Sequence, residues 1–378
     1  MARSTSGRIV IDINPEKKTR LYEALDLEGI TLKDWFARTA DSFTNESFAP
    51  SLIKPTRQEI FSGARHQKHS QKKYSTVSMF SGCGGMDLGF TGGFKVFNQS
   101  YEKLPYEIIW ANDLNEAACQ TYRRNLKHNI NCGDVWKHLD SLPTTADILI
   151  GGFPCQDISI NGKRAGIDGQ RSGLYRAMVA GIQRCKPRLF VAENVKGLLH
   201  KSNASSLERV IHDFKELGYT VSYQLYNAAD YGVPQTRERI FIVGVRGGEH
   251  RFHPPRKERD RSAWITAEEA VGDLEDASEN QAINHIWSRA NKSPEQGNRH
   301  LRSDRPAHTI RAECHGNIQF HYKLPRRISM REAARFQSFP DEFLFTSKLR
   351  ETERQIGNAV PPVLAWHVAK CVLDCFND

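Results

Sequence analysis

From Val77 onward the chain alternates two textures. Short apolar runs, "VSMF", "EIIWAND", "ADILIGG" and "RLFVAEN", each end in small or polar residues. Between them lie longer stretches of helical spacing, such as "LNEAACQTYRRNLKHN" and "SGLYRAMVAGIQRCK". Strand-length apolar runs separated by helices predict an α/β chain: a doubly wound, mostly parallel sheet with helices on both faces. "TVSYQLYNAADYGVPQTRERIFIVGV" carries two strand-like runs about a turn-rich centre, which predicts an antiparallel pair at a sheet edge. Over residues 246–326 the rhythm lapses. Pro, Gly, His, Asn and Arg accumulate in "RFHPPRKERDRS" and "SPEQGNRHLRSDRPAHT", as in an inserted module of irregular structure. Helical patterning resumes at Ser329, where "SMRE" has the spacing of a capping box, and lasts to the C-terminus.

The first 75 residues differ. "RIVIDIN" (Arg8–Asn14) reads as a strand rich in β-branched residues. "PEKKTRLYEALDLEG" reads as a helix with proline in its first turn and Gly29 closing it, and "TLKDWFARTADSF" as a second helix with Thr31 at its N-cap. Strand, helix, turn, helix over Arg8–Phe43 resembles the ribbon-helix-helix family, in which two chains pair their strands and the ribbon enters the DNA major groove. A helical extension packed on the main domain is the alternative. Residues 46–75 are polar and basic without a sustained period, and read as a linker.

Composition narrows the function classes. The 378 residues carry 53 Lys and Arg against 44 Asp and Glu, a net charge of +9 that favours a polyanionic partner. No apolar run is long enough to cross a bilayer, and "MARSTSGRIVIDIN" lacks the apolar core of a signal peptide, so a cytoplasmic protein without a membrane partner is expected. The eight cysteines are scattered with no C-x-x-C pair, which argues against a disulfide framework or a zinc site and leaves the metal assignment at none.

Ligands of an open parallel sheet bind beyond the carboxyl ends of its strands, and the suggestive residues sit there. "FSGCGGMDLGF" follows the first run, Asp113 ends the second, and Asp134 lies in "NCGDV". Cys155, behind Pro154, leaves the run "ILIGG", and Glu193 ends the next. On adjacent strands the last two would share one crevice, suiting nucleophilic attack on an electrophilic ring whose neighbouring nitrogen must be protonated. "QTRER" would add Gln235, Arg237 and Arg239 to the wall of that site.

The order of motifs then resembles the DNA (cytosine-5)-methyltransferases of bacterial restriction–modification systems. The matching stretches are "FSGCGG", "GGFPCQDIS", "ENVKGLL", "YGVPQTRERIFIVG", "RRISMREAARFQSFPD" and "QIGNAVPPVLAWHVA", across residues 76–378. The resemblance implies a catalytic domain over 76–245 and 327–378 and a target-recognition domain at 246–326, with the N-terminal module over 1–45. It implies that Cys155 is the nucleophile, that Glu193 holds the flipped cytosine, and that Arg237 and Arg239 anchor the substrate and orient Glu193. Gln235 would fill space nearby, and Ser159–Arg171, with Gly162, Gly166 and Gly169, would form a closing loop. The implied cofactor is S-adenosylmethionine, held by Phe80, Gly82, Cys83, Gly85, Asp113, Asp134, Val135, Asn358 and Val360. Double-stranded DNA is the implied substrate and a restriction endonuclease the implied functional partner, with a homodimer through the N-terminal module if that module is a ribbon-helix-helix. Two alternatives stay open: methylation of tRNA by the same chemistry, and a role for the N-terminal module in transcriptional regulation.

Overall fold

The four apolar runs form parallel strands of one sheet. The structure is a computed structural model that describes residues 72–154, 174–247, 252–289, 299–312 and 319–376, together with Tyr22, Leu25, Thr31 and Leu32. Its strands, in chain order, are β1 (Tyr74–Met79), β2 (Phe94–Val96), β3 (Gln99–Tyr101), β4 (Tyr106–Asp113), β5 (Asn131–Cys132), β6 (Ile148–Gly152), β7 (Leu189–Val195), β8 (Tyr219–Asn227), β9 (Gln235–Thr236), β10 (Glu238–Arg246) and β11 (Ala307–His308). Seven of them make the sheet in the order β5-β4-β1-β6-β7-β10-β8. Pairing is parallel from β5 to β7, and β10 runs antiparallel to both β7 and β8. The antiparallel pair read from the sequence therefore sits at one edge. The chain winds outward from β1 to β5, then returns to β6 on the other side of β1, which places the topological switch point between β1 and β6.

The helices are α1 (Gly85–Thr91), α2 (Glu116–Asn125), α3 (Val135–His138), α4 (Leu174–Cys185), α5 (Ala204–Glu216), α6 (Ala267–Val271), α7 (Met330–Phe336), α8 (Leu349–Asn358) and α9 (Pro362–Asp374). Both sheet faces are covered because successive strand residues point to opposite sides. Ile148, Ile150, Leu189 and Val191 join Met86 and Phe90 of α1 and Val363, Leu364 and Val368 of α9 in one core. Leu149, Phe190 and Ala192 join Met178 and Ile182 of α4 and Val210 and Phe214 of α5 in the other. The span Leu349–Asp374 has the length and composition to cross a bilayer, but 78% of its most apolar window is buried in the protein.

A third core changes the reading of the irregular segment. Ala267, Ala270, Val271, Leu301, Ala307 and Ile310, all within 246–326, pack with Ile328, Met330, Phe336, Phe339, Phe343, Phe345 and Ile356. Among the described residues, the segment's apolar side chains thus share their core with α7 and the aromatic run after it. Its β11 also pairs with β9, two residues on each side. The hairpin of β2 and β3 was not legible, its strands being only three residues each.

α7 begins with the expected capping box, Ser329 and Glu332 each accepting from the other's backbone N–H. The fully buried Glu332 carboxylate also receives both Nη groups of Arg326, at 2.8 and 2.9 Å. Glu332→Ala would strand a guanidinium and remove the cap together. Breaking one side of a buried pair is costly, so a loss of about 3 kcal/mol is expected, checked as a lower denaturant midpoint at unchanged slope.

The chain divides into two compact units, Met1–His69 and Ser70–Asp378, so the change of unit falls inside the stretch read as linker. In the first, Tyr22, Leu25 and Leu32 are helical and fall in the two helices read there; the rest of the ribbon-helix-helix reading lies outside the described residues.

Candidate active site

The parallel strands β1, β4, β6 and β7 end on one side of the sheet, the side on which open parallel sheets bind their ligands. Gly152, the last residue of β6, stands directly beside Glu193 in the parallel register of β6 and β7. Beyond it the chain runs through buried Phe153 and exposed Pro154 toward Cys155. Cys155 and the loop Ser159–Arg171 lie outside the described residues, so the site is built from what surrounds the exit of β6.

Glu193 is the focus. Its Oε1 lies 3.0 Å from Nε of Arg239, and both side chains are about nine-tenths buried. The pairing of β7 with β10 sets this up: Arg239 stands opposite Val195, two residues from Glu193 and on the same face. Burial pushes the Glu193 carboxyl above the usual carboxylate range, and the positive charges of Arg239 and Arg237 partly hold it down. Arg239, which in isolation reads as a surface arginine at a strand start, is turned inward against Glu193.

Arg237 departs from its expected role. It is fully buried, and its Nη groups donate to the carbonyls of Ile310 (2.8 Å), Gly357 (2.7 Å) and Ala359 (3.0 Å). No hydrogen bond joins it to Glu193 among the described residues, so its action on that carboxyl is through charge alone. Its hydrogen bonds hold backbone. Gln235 does more than fill space: its Oε1 accepts from the Ile310 N–H at 2.8 Å, and its Nε2 donates to Phe336 O and Gln337 Oε1, both at 3.0 Å.

Sequence reasoning passed over Asn194. Its Nδ2 donates to the Phe153 carbonyl at 2.9 Å and its Oδ1 accepts from the Val195 N–H at 2.8 Å. The residue thus fastens the exit of β6, two residues before Cys155, to the strand that carries Glu193. The signal was its place between Glu and Val in "ENV".

The expected cofactor residues gather on the other side of the switch point. Asp113 accepts from the Gly82 N–H and from the Asn115 N–H, each at 2.8 Å, which ties the glycine-rich turn after β1 to the end of β4. Phe80 and Gly82 have φ of 57° and 56°, a left-handed conformation that is uncommon for phenylalanine. Pairing of Asp113 with Cys132 brings the exit of β5, and hence Asp134, beside it. Asp134 is exposed and caps α3 through the Trp136 N–H, and Val135 is buried. From the far end of the sequence, Asn358 is exposed, while the Val360 carbonyl packs so closely on Gly85 that a Cβ there would lie 2.4 Å from it. Cys83 departs from expectation: its thiol turns inward toward the Gln355 carbonyl and burial raises it to about 12, leaving only its backbone for a ligand.

The donor set fits a nucleoside. A half-buried carboxylate at the end of β4 retains lone pairs beyond the two N–H groups it accepts. A tight turn brings bare backbone to the crevice at Gly82, where a Cβ would meet nothing within 4 Å. Leu114 beside it leaves an apolar side chain 73% exposed, a surface on which a flat base can rest.

A family profile described as C-5 cytosine-specific DNA methylase matches residues 74–302 and 282–373. The type II methyltransferase M.NgoFVII of Neisseria gonorrhoeae is 36% identical over 343 residues, 82% of this chain and 89% of that protein. The type II methyltransferase M.FnuDI of Fusobacterium nucleatum is 33% identical over 338 residues, 80% of this chain and 95% of that protein. Among solved structures, the S. pombe Dnmt2 methyltransferase superposes with a TM-score of 0.60 at 18% identity, covering 81% of this chain and 100% of that one. Entamoeba histolytica methyltransferase EhMeth gives 0.57 at 14% identity, over 82% and 100%. At these identities the structural likeness speaks to the fold.

Proposed function

We propose, for a chain that belongs to the C-5 cytosine-specific DNA methylase family and is a type II C-5 cytosine DNA methyltransferase, that it methylates a flipped cytosine within one short duplex sequence and so protects DNA from a partner endonuclease. The observation that carries this reading is the Glu193–Arg239 pair at the switch point, in register with the strand that leads into Phe-Pro-Cys.

Cytosine in a duplex is stacked and out of reach, so the base must swing into the crevice. The Cys155 thiolate then adds to C6, forming a C–S bond and pushing electron density toward C5. Glu193 donates a proton or hydrogen bond to N3 and accepts from the exocyclic amine, so the added density does not accumulate as an anion on the ring. Arg239 fixes the carboxyl in that orientation. C5 thereby becomes the nucleophile. S-adenosylmethionine, when bound, supplies the electrophilic methyl group, and Asp113, Gly82 and the backbone near Val360 are the residues that would hold it. Loss of the C5 proton to a base, with any proton given to N3 returning to Glu193, then restores the double bond and expels Cys155 as its thiolate. Covalent attachment has converted an unreactive ring carbon into an enamine.

The segment 246–326 is read as the target-recognition domain on its place in the order of motifs. The N-terminal unit is read as a ribbon-helix-helix that pairs two copies on DNA, on sequence pattern alone.

A transfer assay with labelled S-adenosylmethionine is expected to label duplex DNA and not tRNA. Bisulfite sequencing of DNA from an expressing host should place protected cytosines at one short sequence. Label entering only tRNA, or DNA with no protected cytosine, overturns the proposal.

A further inference from the structure

The last carbonyls of a helix have no partner within it and must find one elsewhere. At the end of α8 they are taken by side chains from distant segments. Gln337 Nε2 donates to Ile356 O at 2.5 Å and to Ala359 O at 3.3 Å. Arg237 Nη2 donates to Gly357 O and Ala359 O. The same side chains reach the other way. Ile310 gives its N–H to Gln235 and receives Arg237 Nη1 at its carbonyl, and Gln235 then donates to Gln337 Oε1. Gln235, Arg237 and Gln337 are each at most 1% exposed, so water cannot replace a broken link.

Packing removes the remaining slack. A Cβ on Gly357 would lie 2.4 Å from both the Ala312 N and the Arg311 carbonyl carbon, and one on Gly85 would lie 2.4 Å from Val360 O. The end of α8 and the residues after it, Ile356–Val360, are therefore wedged between the glycine-rich turn and the segment Ile310–Ala312. A shift of Ile310–Ala312 has to be passed to Asn358 and Val360, because closely packed backbone does not deform continuously.

We infer that Gln337 is a positioning residue that couples the proposed methyl-donor segment Ile356–Val360 to the proposed DNA-recognition segment at Ile310–Ala312. This rests on the cofactor and substrate reading above and adds the route by which the two sites sense each other. Such coupling is reciprocal: whatever duplex does to cofactor affinity, cofactor does to duplex affinity by the same factor.

The test uses the full chain, S-adenosylhomocysteine as an unreactive probe, and a duplex carrying the sequence mapped by bisulfite sequencing. Calorimetric titration of the native protein should show the duplex tightening the probe's affinity by about tenfold, within the usual span of coupled sites. Gln337→Met keeps the side chain's bulk and removes its amide. The variant's ratio should fall below about twofold, with affinity in the absence of DNA nearly unchanged. A merely structural loosening would weaken both titrations alike and leave the ratio at its native value. That result, or a native ratio of one, overturns the inference. If Gln337→Met lacks a native melting transition, Gln235→Met cuts the same circuit from its other side and is read by the same criterion. No binding of the probe at all would overturn the cofactor reading itself, a result distinct from an unchanged ratio.

Discussion

Cys155→Ser is expected to abolish methyl transfer, lowering kcat by on the order of 10⁴-fold or more, about 5.5 kcal/mol of lost transition-state stabilisation. The change removes one polarisable atom and little volume, so folding and ligand binding should survive it. What is lost is chemistry. A thiol supplies a few per cent of thiolate near neutrality and more beside a positive charge, whereas a serine hydroxyl needs a general base to ionise at all. The ionisable group beside the last residue of β6 in the strand register is Glu193, and its carboxyl is already engaged by Arg239. A second measurement isolates the covalent step. A duplex with 5-fluorocytosine at the target blocks the final loss from C5, so native enzyme should form an adduct that survives denaturing electrophoresis and the serine variant none. Normal turnover by Cys155→Ser, or no adduct with native enzyme, would remove the basis of the mechanism.

How much of this was legible follows from where the physics is local. The runs that became β6 and β7 announced themselves because a strand covered on both faces must be apolar until its end. That same rule drew attention to Asp113 and Glu193, each in the closing turn of its strand. The capping boxes of α6 and α7 are local too, and the one at Ser329 was readable from four letters.

The rest depends on partners far apart in sequence. Nothing near Arg237 indicates that its guanidinium ends on carbonyls 73, 120 and 122 residues away. Cys83 and Gly85 belong to one motif, yet the first turns into a core with Phe339 and Ile356 while the second receives the Val360 carbonyl. Gln337 lies in a quoted motif, but amides acquire meaning only from what they meet across the fold. The third core was illegible for the same reason: Ala267, Ala270, Val271, Leu301, Ala307 and Ile310 lie in a segment whose local pattern is irregular, and they pack into a core with α7.

Glu193→Gln tests the other half of the reaction. The amide keeps the shape of the side chain and can still donate a hydrogen bond, but it cannot hand over a proton, so a fall in kcat on the order of 10³-fold is expected. The pH profile gives the sign. Burial raises the pKa of Glu193 and the arginines lower it, with burial the larger effect, so the proton is retained to higher pH than on a free glutamate. Activity that needs this proton is present below the raised pKa and falls as pH climbs through it. Cys155 needs the opposite, a thiolate, so the native profile should be a bell with Glu193 on the alkaline side. In Glu193→Gln the alkaline limb should vanish while the acid limb persists. Arg239→Gln removes a charge 3.0 Å from the carboxyl that favours its ionised form, and should move the alkaline limb to higher pH. If instead the acid limb moved to higher pH while the alkaline limb stayed in place, the ionised carboxylate, not the acid, would be the working form, and the roles assigned at N3 would have to be exchanged.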